Sequence, residues 1–287
     1  MDQISVAGDG VNEDRAAMSS PYAWVIDGAT DVADERLTNA ATDADWIAGT
    51  LDATLRAHAA QAACAFADLP GYLTTSVSDA FATDQRRQPR TRHEHPSASS
   101  LIVKYDAAVL SYISIGDCSM IVSDPSYGEI RRCGVSEAEA GDRKLDPLIR
   151  AHLAADTTGS APADNETNLP LLTGMRSTLQ GMREHLNHED GYGALSITPT
   201  PEIFLHTGFM TLEPGAHVLL ATDGFMRLVD VFKHYDCESL VVAVIERGLS
   251  RLVDDLRMLE RNYPPAGQTP RIKPFDDASA LLIEVIA

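Results

Sequence analysis

The chain has 287 residues, 44% of them hydrophobic, and sets 23 Lys and Arg against 42 Asp and Glu, a formal charge of −19. That length can bury one large core, so a single domain spanning 1–287 and a monomer are expected. The charge excludes nucleic acid and anionic membrane as partners unless a basic stripe is set apart, and the densest basic run, Arg86 to Arg92, is short and lies in a Pro-containing loop.

In chain order, Tyr22–Ile26 reads as a strand, being apolar and β-branched or aromatic. Ile47, Leu51 and Leu55 recur every four residues and predict a helix. Gln85–Ser99 reads as a loop, and His93 and His95 within it as solvated residues. Leu101–Tyr105, Ala108–Ile115 and Met120–Ser123 follow closely enough to suggest an antiparallel meander. After the polar run Asp156–Asn168, the spacing of Leu169, Leu172, Met175, Leu179, Met182 and Leu186 predicts an amphipathic helix. His217–Thr222 is the next strand, and a helical pattern runs from Leu240 to Leu256, with Gly248 as a break and Ser250 as the cap of a second piece. The loop Asn262–Pro274 and the strand Ala280–Val285 close the series. Strands in runs and helices in pairs, without βαβ alternation, give an α+β class with mixed or antiparallel sheets.

Cys64, Cys118, Cys133 and Cys237 show no CxxC or Cys/His spacing, so reduced thiols are expected. The start Met1-Asp2-Gln3 has no basic and apolar leader, and no window approaches eighteen apolar residues. A cytoplasmic, soluble protein is the expectation.

Chemistry is suggested by acidic pairs, most of them at strand edges: Asn12-Glu13-Asp14, Asp27-Gly28, Gly116-Asp117, Asp223-Gly224 and Asp276-Asp277. Carboxylates beside a glycine carbonyl are the oxygen ligands Mg²⁺ and Mn²⁺ prefer, yet each pair alone also suits an ordinary turn. Taken together, Asn12-Glu13-Asp14-Arg15, Val25-Ile26-Asp27-Gly28-Ala29-Thr30, Ser97-Ala98-Ser99-Ser100, Ile115-Gly116-Asp117-Cys118-Ser119, Leu220-Ala221-Thr222-Asp223-Gly224-Phe225 and Asp276-Asp277-Ala278-Ser279 resemble the successive motifs of the protein phosphatase 2C family of metal-dependent phosphatases. The resemblance runs from Val6 to Val285, with Glu137–Asn187 unmatched and a candidate flap.

What the resemblance implies is a four-layer α-β-β-α sandwich of two mainly antiparallel sheets flanked by helix pairs. It also implies hydrolysis of phosphoserine and phosphothreonine in signalling proteins, using two divalent cations, Mn²⁺ or Mg²⁺, about 4 Å apart that lower the pKa of a shared water. Asp27 would bridge both cations, the Gly28 carbonyl and Glu13 would complete one, Asp223 and Asp276 the other, and Asp14 would act through water. Asp276 is preferred to Asp277 for this role, a shift of one residue being open. Asp117 is either a ligand of a third cation or a turn-former.

Three positions depart from the pattern. Asp9 stands where many relatives carry a phosphate-gripping Arg, Ala29 where some carry His, and Arg227 where bacterial members carry an Asp of the third cation site. Arg15 and Arg227, each near a ligand position, are the candidates to hold phosphate. Two other readings stand beside the protein phosphatase: a phosphatase-fold binding or regulatory domain with little catalysis, and a phosphatase of small metabolites.

Overall fold

The computed structural model describes residues 2–134, 169–262 and 273–286. The loop Asp156–Asn168, most of the candidate flap Glu137–Asn187 and most of the loop Asn262–Pro274 lie outside the described residues. The first half contains β1 (Asp2–Val6), β2 (Asp14–Ser19), β3 (Tyr22–Gly28), α1 (Asp43–Gln61), α2 (Leu69–Asp84), β4 (Ser97–Asp106), β5 (Val109–Ile115), β6 (Ser119–Ser123) and β7 (Arg131–Cys133). The second holds α3 (Leu169–Arg183), β8 (Leu195–Ser196), β9 (His206–Thr211), β10 (His217–Ala221), α4 (Asp223–Asp230), α5 (Cys237–Arg247), α6 (Leu249–Asn262) and β11 (Ala278–Glu284).

The strands form two antiparallel sheets, one ordered β1-β11-β10-β6-β7 and the other β2-β3-β4-β5-β9 with β8 added to β4. Side-chain alternation along each central strand builds three apolar layers. On β3, Trp24 and Ile26 pack against Ile47, Leu51 and Leu55 of α1 and Leu73 and Val77 of α2. Ala23 and Val25, on the other face, meet Val122, Val218, Leu220 and Leu281 between the sheets. On β10, Leu219 and Ala221 turn outward to Phe225, Leu240, Leu252 and Leu256 of the remaining helices. The result is the α-β-β-α order expected, and the central strands read as near-continuous apolar runs because both their faces are buried.

Two expectations are corrected. The three middle strands are not one meander: β4 and β5 pair, but β6 crosses to the other sheet and pairs with β10 and β7. The crossing is made at Gly116, which has φ +87° and lies so close to Ser99 that a Cβ there would stand 2.2 Å from its hydroxyl. The helical run after Leu240 does break at Gly248, with φ +79°, but Ser250 is inside α6 and caps nothing. The first amide of that helix, Leu249, is taken instead by the Asp2 carboxylate at 2.9 Å, a cap supplied from β1.

Candidate active site

Antiparallel pairing brings many strand ends to one rim: β1, β3, β5 and β10 finish there, and β2, β4, β6 and β11 start there. Each acidic motif sits at one of those ends. Asp14 and Asp27 are opposite residues of β2 and β3, and Asp27 is also opposite Ser99 of β4. Asp117 lies in the β5–β6 crossover with its carboxylate on Ser99. Asp223 is the first residue of α4, and Asp276 stands just before β11.

Asp223-Gly224 is therefore the opening turn of a helix rather than a surface turn at a sheet edge. Gly224 lets the Asp277 backbone approach, since a Cβ there would meet its carbonyl at 1.9 Å. Between the adjacent acids the division of labour is plain. Asp277 accepts the Gly8 and Glu13 amides, both at 2.7 Å, and so ties the N-terminal motif to β11. Asp276 has its carboxylate on Arg227 and Lys273 and adds its charge to those of Asp14, Asp117 and Asp223.

Solved structures share this arrangement of layers. A serine/threonine phosphatase of Mycobacterium tuberculosis, PstP, aligns over 99% of this chain and 97% of its own at 13% identity, with a TM-score of 0.54. The catalytic domain of PstP in complex with 2 manganese ions covers the same shares at 13% identity and a TM-score of 0.55. The serine/threonine phosphatase of S. agalactiae covers 100% and 98% at 12% identity, with a TM-score of 0.52. The chain has the protein phosphatase 2C fold. The sequence matches no protein-family model and no curated protein.

Within this phosphatase fold the rim is electrostatically crowded. Glu13 and Asp14 are buried, while Asp27, Asp117 and Asp223 keep partial access to solvent. Burial, and then the neighbouring negative charges, holds Asp27 and Asp14 well above the usual carboxylate range. The same causes push Asp223 up to about 7, and its carboxyl hydrogen-bonds that of Asp27. Besides Ser99 on Asp117, hydroxyls serve the cluster at two further acids: Thr222 donates to Asp14 at 2.8 Å and Thr30 to Glu13 at 2.9 Å. Asp31, raised to about 6 chiefly by burial, accepts the Asp43 and Ala44 amides at the start of α1.

The donors fit divalent cations in chemistry: all are carboxylates, and one oxygen of Asp117 is sealed from water with no partner among the described residues. Among those residues no three His, Cys, Asp or Glu side chains already stand as a formed ligand group. Asp276 faces two side-chain cations instead. Burial would raise it, but the Arg227 and Lys273 charges together bring it below the ordinary range.

The two arginines read as phosphate holders are both engaged elsewhere. Arg15 donates to the Asn12 and Asp14 carbonyls at 2.9 and 2.7 Å and to Asp45 at 2.5 Å. Arg227 is buried between Asp276, at 2.5 Å, and Glu260, at 3.0 Å, and Arg257 holds the other Glu260 oxygen at 2.5 Å. His93, read as solvated, is instead paired with Glu184 at 2.6 Å.

Sequence reasoning missed Lys273, whose Nζ lies 3.3 Å from Asp276 and 3.7 Å from Glu13. It also missed Tyr192, half-buried near Asp117 and hydrogen-bonded to Arg183 at the end of α3. Lys273 stands three residues before Asp276, the one signal that could have found it. All four cysteines are free, and no described helix is long and apolar enough to cross a membrane.

Proposed function

We propose that this chain is a divalent-metal-dependent phosphatase that hydrolyses phosphoserine and phosphothreonine in proteins. The observation that carries the reading is the convergence of Glu13, Asp14, Asp27, Asp117, Asp223 and Asp276, drawn from both sheets, on one rim. Similar structures named serine/threonine phosphatases, one of them in complex with manganese, support it.

Asp27, Glu13 and the Gly28 carbonyl would hold one Mn²⁺ or Mg²⁺, and Asp27, Asp223 and Asp276 the other. When bound, these cations supply Lewis-acid activation of water toward phosphorus. The chain's residues set the stage for that. Thr222 fixes Asp14 and Thr30 fixes Glu13 by single hydrogen bonds, so neither acid must be reoriented on binding. Asp277 holds the Glu13 backbone in place from the opposite sheet. Asp14 and Asp27, raised by burial and crowding, retain protons that cation binding must displace, which makes binding tighter as pH rises.

The decisive experiment measures aryl phosphate and phosphopeptide hydrolysis with Mn²⁺ and with chelator, in wild type and Asp27→Asn. Turnover that needs Mn²⁺ and falls about 10²- to 10³-fold in the variant is expected, as removal of a group stabilising the transition state costs. Turnover unaffected by chelator would refute the reading. One observation favours a binding domain of the same fold: Asp276 is already neutralised by Arg227 and Lys273. Tight Mn²⁺ binding without hydrolysis of any phosphoester would select it, and preference for metabolites over phosphopeptides would select a small-molecule phosphatase.

A further inference from the structure

The phosphatase reading leaves the substrate phosphate without either of the two arginines expected to receive it, because Arg15 is occupied by Asp45 and two carbonyls and Arg227 by Asp276 and Glu260. Replacing either contact would strand a carboxylate. For Arg227 the carboxylates are Asp276 and the buried Glu260, which among the described residues would keep only Arg257 and the Asp276 amide.

Lys273 is placed differently. Among the described residues its Nζ donates one hydrogen bond, to Asp276 at 3.3 Å, while Glu13 at 3.7 Å is near enough for charge attraction but too far for a hydrogen bond. An ammonium has three N–H groups and needs no fixed plane, so two remain to donate. The side chain is 27% exposed, which leaves it a solvent-facing side. It sits between two acids assigned to different cations, Glu13 to one and Asp276 to the other. Any phosphate lying across that rim brings an oxygen to it.

We propose that Lys273 is the phosphate-binding residue of this chain, donating from the β11 side of the rim to a non-reacting oxygen of the substrate phosphate. The juxtaposition of its ammonium with Glu13 and Asp276, together with the commitment of both arginines, carries the assignment. It rests on the phosphatase reading above. The same ammonium opposes cation binding by occupying the carboxylates, so its removal acts in opposite directions on the two ligands. A residue that merely braced Glu13 and Asp276 would move both the same way.

The test uses the full chain, Lys273→Gln and Lys273→Arg. Calorimetry with Mn²⁺ alone, then with inorganic phosphate on Mn²⁺-loaded protein, is set beside KM and kcat for an aryl phosphate. In Lys273→Gln, phosphate affinity is expected to fall and KM to rise about 10- to 100-fold, the loss of one charged hydrogen bond, with kcat changed far less. Mn²⁺ affinity is expected to hold or tighten, and Lys273→Arg to restore most of the phosphate affinity. Unchanged phosphate affinity in Lys273→Gln overturns the proposal, as does a parallel loss of Mn²⁺ and phosphate binding, or a wild type that binds no phosphate. A loss seen only in Arg183→Gln overturns it in favour of the arginine beside Tyr192. Phosphate binding that depends on Lys273 in a protein without turnover supports the proposal and sinks the catalytic reading alone.

Discussion

Asp223 offers a direct test of the crowded rim through pH. Its folded value is about 7 against an ordinary 3.8, so the native state holds a proton that the unfolded chain has released. A carboxyl raised on folding contributes stability below its unfolded value and loses that contribution as pH climbs to the folded one. Metal-free protein should therefore weaken between about pH 4 and pH 7 and stay weak above. The rise from 3.8 to about 7 corresponds to about 4 kcal/mol, an upper figure because Asp223 keeps partial access to water. In a chain of this size that is a fall in Tm of roughly 7 °C.

Other groups act in the same range. Asp31, at about 6, loses stability in the same sense, whereas His58 and His95, held below their usual range by burial, gain as pH rises toward 6.5. Comparing wild type with Asp223→Asn removes these shared contributions. Thermal melts in chelator from pH 5 to 8 should show wild type losing ground to the variant as pH rises. Millimolar Mn²⁺ should reverse the order, adding about 3 kcal/mol or more where it exceeds its dissociation constant 100-fold. Parallel melting curves for the two proteins across this range, or no response to Mn²⁺, would refute the argument from crowding.

Asp277→Ala leaves the Gly8 and Glu13 amides unpaired, and should cost about 2–5 kcal/mol in urea denaturation while loosening Glu13 enough to weaken Mn²⁺ binding. Asp2→Ala removes the cap on Leu249 and should cost about 1 kcal/mol by the same measurement, with turnover unchanged because the residue lies on the helix side of β1.

Much of the fold could be read from the chain because β3, β10 and β11 are buried on both faces and spell near-continuous apolar runs, while β4 and β5 carry buried apolar residues at Leu101, Ile102 and Val103 and at Leu110, Ile113 and Ile115. Strands β1, β2 and β9 escaped that reading because their burial is broken by exposed or half-exposed positions and their sequences carry polar residues or alanines. Helix α2 was hidden by its Ser, Thr, Gly and Pro content, although Leu69, Leu73, Val77 and Phe81 step by four and are all buried. Helix α4 was hidden because Asp-Gly is a common turn pair; Phe225, Leu228 and Val229 held the contrary signal. Sequence adjacency could not say that β6 leaves its neighbour's sheet, since that depends on the crowding of Gly116 against Ser99. In the site, the acids were found from their local motifs, but the occupation of Arg15 and Arg227 depends on Asp45 and Glu260, which are distant in sequence and outside any motif.

The acids of the rim are shared between two sheets whose facing sides are packed apolar side chains. Asp14 on one sheet and Thr222 at a strand end of the other are joined by a single hydroxyl, and the Asp277 carboxylate adds the Glu13 amide, so these contacts pin the two sheets together at the rim. Whatever gathers the remaining carboxylates there ties the two sheets together at further points, so resistance of the sandwich to unfolding becomes a readout of what its rim is holding.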